Sequence, residues 1–212
     1  MTTFDHHLHT SRHSPDSIIS PEALVERALA VGLDGVVITE HDYQWTADEL
    51  AQLSARAGGL KVFAGAEVSA VEGHFLVYGL PDLDEAPCGI RLGELLEVAR
   101  RHSAAIVAAH PFRWGQDFAS LVAEHGPAFD ALELVSNNVT SETREKTAEL
   151  LAVHPMGATG SSDAHEPGVV GCYYTEFPGP IETLADFIAA LRQRAGFPRH
   201  RTGARLTSGP VD

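Results

Sequence analysis

The sequence predicts a single-domain α/β fold, most simply a barrel of seven strands. Short apolar runs alternate with helical patterns along the chain, which is typical of a mainly parallel sheet or barrel. A length of 212 residues suits one such domain. A hydrophobic content of 44% with 21% charged residues excludes a disordered or collagen-like chain. We expect a barrel domain over residues 1–197 and a basic, loosely held tail over 198–212.

The elements can be placed in order from these patterns. The predicted strands are residues 4–8, 35–39, 61–66, 74–79, 104–109, 131–135 and 157–161. The predicted helices are residues 20–31, 46–57, 92–102, 118–124, 141–153 and 181–195. Pro21 suits the first position of the first helix, and Gly32 suits its end. Since no repeat or long linker divides the chain, one barrel accounts for the pattern better than two domains.

The charge balance limits the partners that we expect. The formal net charge of −14 argues against stable binding to duplex nucleic acid or to an anionic membrane. The two cysteines, Cys88 and Cys172, imply no disulfide framework. The first residues do not resemble a signal peptide, and no apolar run is long enough to cross a membrane. We therefore expect a cytoplasmic protein, and the sequence does not predict its oligomeric state.

Side chains that bind metals are concentrated where the predicted strands end. Such residues at or just after strand ends are His7, His9, His41, Glu67, His110, Asp163 and His165, and His74 begins its strand. In parallel α/β folds, the carboxyl ends of the strands and the loops after them form the active site. The sequence therefore predicts that these side chains converge on one mouth of the barrel.

Two spacings within this set favour a metal site. Residues i and i+2 of a strand point to the same side, so His7 and His9 can reach one cation, and Asp163 and His165 repeat that spacing. Imidazole and carboxylate ligands suit Zn, Mn or Fe. The absence of clustered cysteines argues against a structural zinc site.

Six motifs follow one another along the chain. They are DHHLHTSRHSPDS at 5–17, ITEHD at 38–42, GAEVS at 65–69, GHFLVYG at 73–79, AHP at 109–111 and GSSDAH at 160–165. In this order they resemble the PHP (polymerase and histidinol phosphatase) family of metal-dependent phosphoesterases. The resemblance implies a distorted seven-stranded (βα)7 barrel. It also implies two or three divalent metal ions at the carboxyl-terminal mouth and hydrolysis of phosphate esters.

The resemblance also implies nine metal ligands. One ion would be held by His7, His9, Glu67 and Asp163. Glu67 would bridge to a second ion held by His74 and His110, and a third would be held by Asp16, His41 and His165. One position departs from the family pattern, because Glu40 stands where Asp is common. Another leaves a choice, because either His13 or Asp16 could be the ligand of the third ion. We favour Asp16 as the ligand and assign His13 to substrate binding or to the outer part of the site.

The implied reaction is attack of a metal-bound hydroxide on a phosphate ester. Divalent ions neutralise the phosphate, lower the pKa of a bound water and fix the geometry of attack. We assign catalytic roles to Glu67, His41 and His165, although the leaving-group acid could be either histidine or a metal-bound water. Arg113 is a candidate phosphate clamp. The short connection between His74 and His110 favours a small phosphomonoester or a nucleotide as substrate.

Several alternatives stay open. An amidohydrolase that cleaves C–N bonds would use a related barrel, but the only lysines, Lys61 and Lys146, are not at predicted strand ends. A non-catalytic, metal-stabilised interaction module is also possible. Glu133 is either part of the site or a buried strand carboxylate, and Trp114 either packs at the rim or stacks on a base.

Overall fold

The computed structural model describes residues 1–125 and 128–201. The strands in this part are β1 (Thr2–Asp5), β2 (Gly35–His41), β3 (Lys61–Ala70), β4 (Gly73–Tyr78), β5 (Ala105–Ala108), β6 (Ala131–Val135), β7 (Gly157–Gly160), β8 (Tyr173–Phe177) and β9 (Phe197–His200). The helices are α1 (Pro21–Ala30), α2 (Ala47–Ser54), α3 (Leu92–His102), α4 (Phe118–His125), α5 (Ser141–Val153) and α6 (Leu184–Arg192), with a short 3-10 helix at Pro167–Val169.

All the strands belong to one sheet, in the order β7-β6-β5-β4-β3-β2-β1-β8-β9. Strands β1, β2 and β3 are parallel to one another, as are β5, β6 and β7. Strand β4 is antiparallel to both of its neighbours because it follows β3 through a tight hairpin. As a result, the start of β4 lies at the same edge of the sheet as the carboxyl ends of the parallel strands.

The sheet curls into a nearly closed barrel. At the mouth, Leu8 forms a parallel bridge with Ala164, and the backbone N–H of His9 donates to the carbonyl of Ala164 at 3.0 Å. Below this bridge, Thr175 of β8 joins β7, where its hydroxyl donates to the carbonyl of Gly160 at 2.8 Å. The segments that follow β1 and β7 are thereby brought side by side.

The single α/β barrel-like domain agrees with the sequence prediction, but the strand count does not. Each of the seven predicted strands overlaps a strand of the sheet, with ends that differ by up to four residues. Strands β8 and β9 were not predicted. The segment Tyr173–Phe177 has the aromatic and β-branched composition of a strand, and Pro198 in β9 obscures that signal at the edge of the sheet.

The first residues of the predicted tail belong to the sheet. Strand β9 pairs antiparallel with β8, and the Arg199 guanidinium donates to Glu176 at 2.9 Å. The expectation of a loosely held segment from residue 198 is therefore wrong for residues 198–200. Residues 202–212 of the proposed tail lie outside the described residues, so the domain boundary stays a prediction.

Helices α1, α2, α5 and α6 begin at side-chain caps, and the helices pack on the sheet. The Ser20 hydroxyl accepts the Ala23 N–H at 3.1 Å at the start of α1, with Pro21 at the first helical position. Reciprocal capping boxes begin α2, α5 and α6. Helix α6 buries Phe187 and Leu191 in a core cluster shared with β1, β2, β4 and β5. Among the described residues, every helix is too short or too polar to span a bilayer.

Candidate metal centre

The mouth of the barrel collects the predicted ligands because of the strand directions. His41 ends β2, Glu67 lies in the second half of β3, and His110 follows β5. His74 starts the antiparallel β4 and pairs in register with Ser69 of β3. Most of the predicted ligands thus reach the mouth from the ends of parallel strands. His74 reaches it from the start of the antiparallel strand β4.

The most buried ligand group contains His7, His9, Glu67 and Asp163, all at most 4% exposed. The Nε2 atom of His7 lies 3.3 Å from Glu67 Oε2 and 3.3 Å from Asp163 Oδ1. The Nε2 atom of His9 lies at the same two distances from the same oxygens. Three of these buried atoms, His7 Nε2, His9 Nε2 and Glu67 Oε2, have no hydrogen-bond partner.

The spacing of this group fits a divalent ion. Ligand atoms at about 2.0–2.2 Å from a tetrahedral ion stand roughly 3.3–3.6 Å apart, and the four nitrogen–oxygen distances in the group are 3.3 Å. Buried polar atoms are normally hydrogen-bonded. A cation explains why three of them converge here without a partner. The donor set of two imidazoles and two carboxylates is one that zinc, manganese and iron accept.

A second group surrounds the same glutamate. Glu67 Oε1 lies 2.9 Å from His74 Nδ1 and 3.1 Å from His110 Nε2. Its other oxygen, which faces the first group, lies 3.0 Å from His41 Nδ1. The two oxygens of Glu67 therefore face different sets of imidazoles, an arrangement that suits a carboxylate bridging two ions.

A third group lies at the solvent side of the mouth. Asp16 Oδ2 is 3.2 Å from His41 Nε2 and 3.3 Å from His165 Nε2, and the two nitrogens are 3.4 Å apart. The carboxylate of Asp16 is 56% exposed. The imidazoles of His41 and His165 both stack on that of His9, with ring centroids 4.2 and 4.4 Å away. The nine predicted ligands thus form one continuous cluster.

Glu133 of β6 orients the innermost histidine. Its carboxylate is fully buried and accepts a hydrogen bond from His7 Nδ1 at 3.0 Å and one from the Ser161 hydroxyl at 2.6 Å. The other oxygen accepts the backbone N–H of His110 at 2.8 Å. A proton held on Nδ1 leaves Nε2 of His7 free to bind a cation. Of the two sequence interpretations of Glu133, the structure supports a place in the site.

A different arrangement supports His9, and sequence analysis missed it. Ser14 Oγ lies 3.4 Å from His9 Nδ1 and donates to the buried Glu40 carboxylate at 2.6 Å. Glu40 also accepts from the Thr10 backbone N–H at 2.9 Å and from Trp45 Nε1 at 2.9 Å. The signal that could have revealed this role was the carboxylate directly after the apolar strand of ITEHD, at the position where Asp is common in the family.

The backbone around Asp163 is held in an uncommon conformation. Asp163 has φ 52° and His110 has φ 28°, values that non-glycine residues seldom adopt. The buried Asp5 carboxylate accepts the N–H of Ser162 and that of Gly171, both at 2.8 Å, and burial raises its pKa to about 6. These bonds fix the loop that carries Asp163. Strained residues that cluster in this way are typical of functional sites.

The ionisable side chains of the cluster shift one another's pKa. Burial lowers the pKa of His9, but Asp163 and Glu67 outweigh it and raise that pKa to about 9. Burial raises the pKa of both carboxylates, yet His7 among other neighbours holds them well below their ordinary values. Since a histidine must lose a proton to bind a cation, occupation of this site releases protons.

The residues predicted to bind substrate lie in different places. Arg113 Nη1 is 3.9 Å from Asp163 Oδ2, so its guanidinium is at the mouth. His13 instead bonds to Glu49 at 2.9 Å, and its ring stacks on Tyr43 at 3.8 Å. His13 therefore lies at the start of α2, and its role in substrate binding stays a prediction.

Both lysines are committed elsewhere. Lys61 begins β3 and pairs with Glu182, and Lys146 pairs with Glu142 along α5 at 2.6 Å. A lysine that bridges two ions, as in many amidohydrolases, is therefore not available at this mouth. The side chain whose two oxygens face different imidazoles, and which could bridge two ions, is Glu67 of β3.

Solved structures with the same fold include three informative matches. A two-domain protein from Bacteroides vulgatus contains a predicted PHP-like metal-dependent phosphoesterase; it is 18% identical with a TM-score of 0.74, and the match covers 94% of this chain and 64% of that one. A candidate metal-dependent phosphoesterase from Bifidobacterium adolescentis is 20% identical with a TM-score of 0.65, covering 91% and 96%. An amidohydrolase from Chromobacterium violaceum, with bound sulfate and no metal, is 17% identical with a TM-score of 0.67, covering 95% and 99%. At these identities the likeness establishes the fold alone.

Sequence comparison identifies the family. No curated protein matches the chain. Residues 142–195 match the family model described as PHP-associated, and residues 5–154 match that of the PHP domain. The second match includes nine of the eleven residues that we predicted as ligands or substrate contacts and was expected from the six ordered motifs. The chain belongs to the PHP domain family.

Proposed function

We propose that this protein is a metal-dependent phosphoesterase that hydrolyses a small phosphomonoester or a nucleotide at a site for two or three divalent ions. The observation that carries the proposal is the set of buried, unpartnered ligand atoms on His7, His9 and Glu67, closed by Asp163 at 3.3 Å. Membership of the PHP domain family and neighbours named as phosphoesterases support the same reaction.

The proposed roles divide the cluster among the ions. His7, His9, Glu67 and Asp163 would hold the first, and Glu67 would share the second with two further histidines. The ligands of the second and third ions, apart from Glu67, are His74, His110, Asp16, His41 and His165. When bound, zinc, manganese or iron supplies charge neutralisation of the phosphate and lowers the pKa of water at the site.

The side chains of the protein would orient the substrate and hold a proton for the leaving group. The guanidinium of Arg113, at the mouth, can bind two phosphoryl oxygens and orient the ester. His41 and His165 reach the solvent side of the cluster, and when only two ions are bound the Nε2 of either could hold a proton for the leaving oxygen. Burial together with His9 lowers the pKa of His165, which favours the neutral imidazole that binds a cation.

Metal content and phosphate release test this proposal together. Wild-type protein, His9→Ala and the matched control His154→Ala would be purified without chelators and assayed with p-nitrophenyl phosphate and a panel of phosphorylated metabolites. His154 lies at the end of α5 and is not among the proposed ligands. We expect at least one equivalent of metal and hydrolysis in wild type and control, and loss of hydrolysis with reduced metal in His9→Ala. Less than one equivalent in the wild type, or hydrolysis that His9→Ala leaves intact, would overturn the proposal.

A further inference from the structure

An exposed tryptophan stands beside the metal centre. The Trp114 ring centroid is 4.7 Å from that of His74 and 5.2 Å from that of His110, both in edge-to-face geometry. Even so, 54% of Trp114 is exposed. Among the described residues, the only other exposed Phe, Tyr or Trp is Phe197 of β9. The guanidinium carbon of Arg199 lies over its ring, 5.6 Å from the ring centroid. An indole left in water at the edge of a polar site is typical of a binding surface.

The loop that carries Trp114 holds it in place. The backbone N–H of Trp114 donates to the Gln116 side chain at 2.9 Å, and the N–H of Gly115 donates to the Phe112 carbonyl at 3.1 Å. Phe112 adopts φ 67° and packs on Phe118, with ring centroids 5.8 Å apart. Because the turn is bonded and anchored on the core, exposure of the indole is a property of the fold.

Arg113 and Trp114 are placed to contact two different parts of one substrate, its phosphoryl group and its leaving group. The Arg113 guanidinium lies 4.9 Å from the indole ring and 3.9 Å from Asp163, one of the proposed metal ligands. The indole lies on the side of His74, at the outer edge of the cluster. A phosphoryl group bound by the guanidinium would therefore place its leaving group against the remaining exposed surface of Trp114.

We propose that Trp114 binds the leaving group, and that the protein consequently prefers phosphomonoesters whose leaving group carries a planar aromatic ring. This inference rests on the proposed phosphoesterase function and adds the class of leaving group. A planar ring gains dispersion and quadrupole contacts on an indole that a short polyol cannot match. The shared chemistry is a flat π system, supplied either by a nucleobase or by a simple aryl group.

A ratio of specificities tests the inference. We would measure kcat/KM for a nucleoside 5′-monophosphate, p-nitrophenyl phosphate and glycerol phosphate in wild type, Trp114→Ala, Trp114→Phe and the control Phe197→Ala. We expect the aromatic-to-glycerol ratio to fall about 5- to 150-fold in Trp114→Ala. It should be largely restored in Trp114→Phe and unchanged in the control. The nucleotide and the aryl ester, compared with each other, show which source of the flat ring fits better.

Binding gives a readout that does not depend on turnover. A nucleoside 5′-phosphonate, which cannot be hydrolysed at the bridging position, should quench the fluorescence of the wild-type protein and not that of Trp114→Phe. Trp45, the other tryptophan, is buried at 3% exposure and is common to both proteins. Phosphate release with an unchanged ratio in Trp114→Ala and equal quenching in both proteins would overturn this inference and leave the phosphoesterase function standing. No release from any substrate would overturn the proposed function and the inference with it.

Discussion

The substitution Glu133→Gln tests whether the buried carboxylate of β6 sets the protonation of the innermost ligand. Both oxygens of Glu133 are in use: one accepts from His7 Nδ1 and from Ser161, and the other accepts the His110 N–H. Glutamine has one oxygen and one NH₂ group in the same space. Residue 133 is fully buried, so in either orientation the NH₂ group would face a buried N–H donor, that of His7 Nδ1 or that of the His110 backbone.

The two orientations have different consequences for His7. If the amide oxygen faces His7, the backbone N–H of His110 loses its acceptor, and the strained turn at φ 28° loses a hydrogen bond. If the NH₂ group faces His7, Nδ1 must accept, and the ring proton moves to Nε2, the atom that would bind the ion. Both outcomes weaken the same site.

The expected magnitude follows from these bonds. A hydrogen bond to a charged group contributes about 1.5–3 kcal/mol, and loss of a partner behind a metal ligand lowers affinity about 10- to 100-fold. A tenfold change corresponds to about 1.4 kcal/mol, so the two figures agree. We therefore expect Glu133→Gln to weaken zinc or manganese binding 10- to 100-fold, measured by competition with a chelator of known affinity.

The control is the same chemical change on the surface. Glu142 pairs with Lys146 at 2.6 Å on α5, and its side chain is 76% exposed, so Glu142→Gln should leave metal affinity unchanged. Circular dichroism of each variant would establish that it is folded. The substitution is expected to weaken metal binding at least about tenfold. A folded Glu133→Gln protein that binds the metal within about threefold of wild type would refute the orienting role of Glu133.

Four further outcomes are expected. Zinc or manganese at about 100 times its dissociation constant should raise the free energy of unfolding by about 2.7 kcal/mol. The melting temperature should therefore fall when a chelator removes the metal. An unchanged melting temperature would contradict a metal site that forms only in the folded chain. Burial lowers the pKa of His6 to about 4. The free energy of unfolding should therefore fall as the pH drops from 6.5 towards 4, by at most about 1.4 kcal/mol per pH unit from this residue, and His6→Gln should reduce that slope in acid titrations of stability. Arg113→Ala should raise KM for phosphomonoesters about 10- to 100-fold with metal content unchanged, and Arg113→Lys should recover only part of this. Gly35→Ala should cost about 1–3 kcal/mol in thermal unfolding, because its Cβ would stand 2.2 Å from the Phe4 ring, whereas Gly168→Ala, with no atom within 4 Å, should cost nothing comparable.

The sequence predicted the parts of this structure that depend on local pattern. Apolar runs identified the strands that carry the ligands, and the i, i+2 spacing placed His7 and His9 together, with ring centroids 5.3 Å apart. It could not predict the direction of β4. That direction depends on the tight hairpin at Ala70–Gly73, and it alone explains why His74 reaches the mouth from the start of a strand.

The supporting residues were harder to predict, for a physical reason. Glu133 and Glu40 are each a single carboxylate in or after an apolar strand, and such a residue has the same local pattern whether or not it holds a ligand. Their roles depend on partners 126 residues away, in the contact with His7, and 26 residues away, in the contact with Ser14. The first of these contacts forms only when the barrel closes, and the second depends on the pairing of β1 with β2.

The cluster also changes the meaning of the −14 charge. Glu67, Asp163 and Glu133 are all buried, and their pKa values are held down by the neighbouring imidazoles. Ionised groups in such surroundings are stable only when they are paired or coordinate a cation. Glu133 satisfies this condition with hydrogen bonds to both of its oxygens, whereas Glu67 is hydrogen-bonded through Oε1 alone and its Oε2 has no such partner. The two carboxylates differ in this respect although they lie on either side of His7. We therefore propose that Glu133 orients the site and that Glu67 binds the ions.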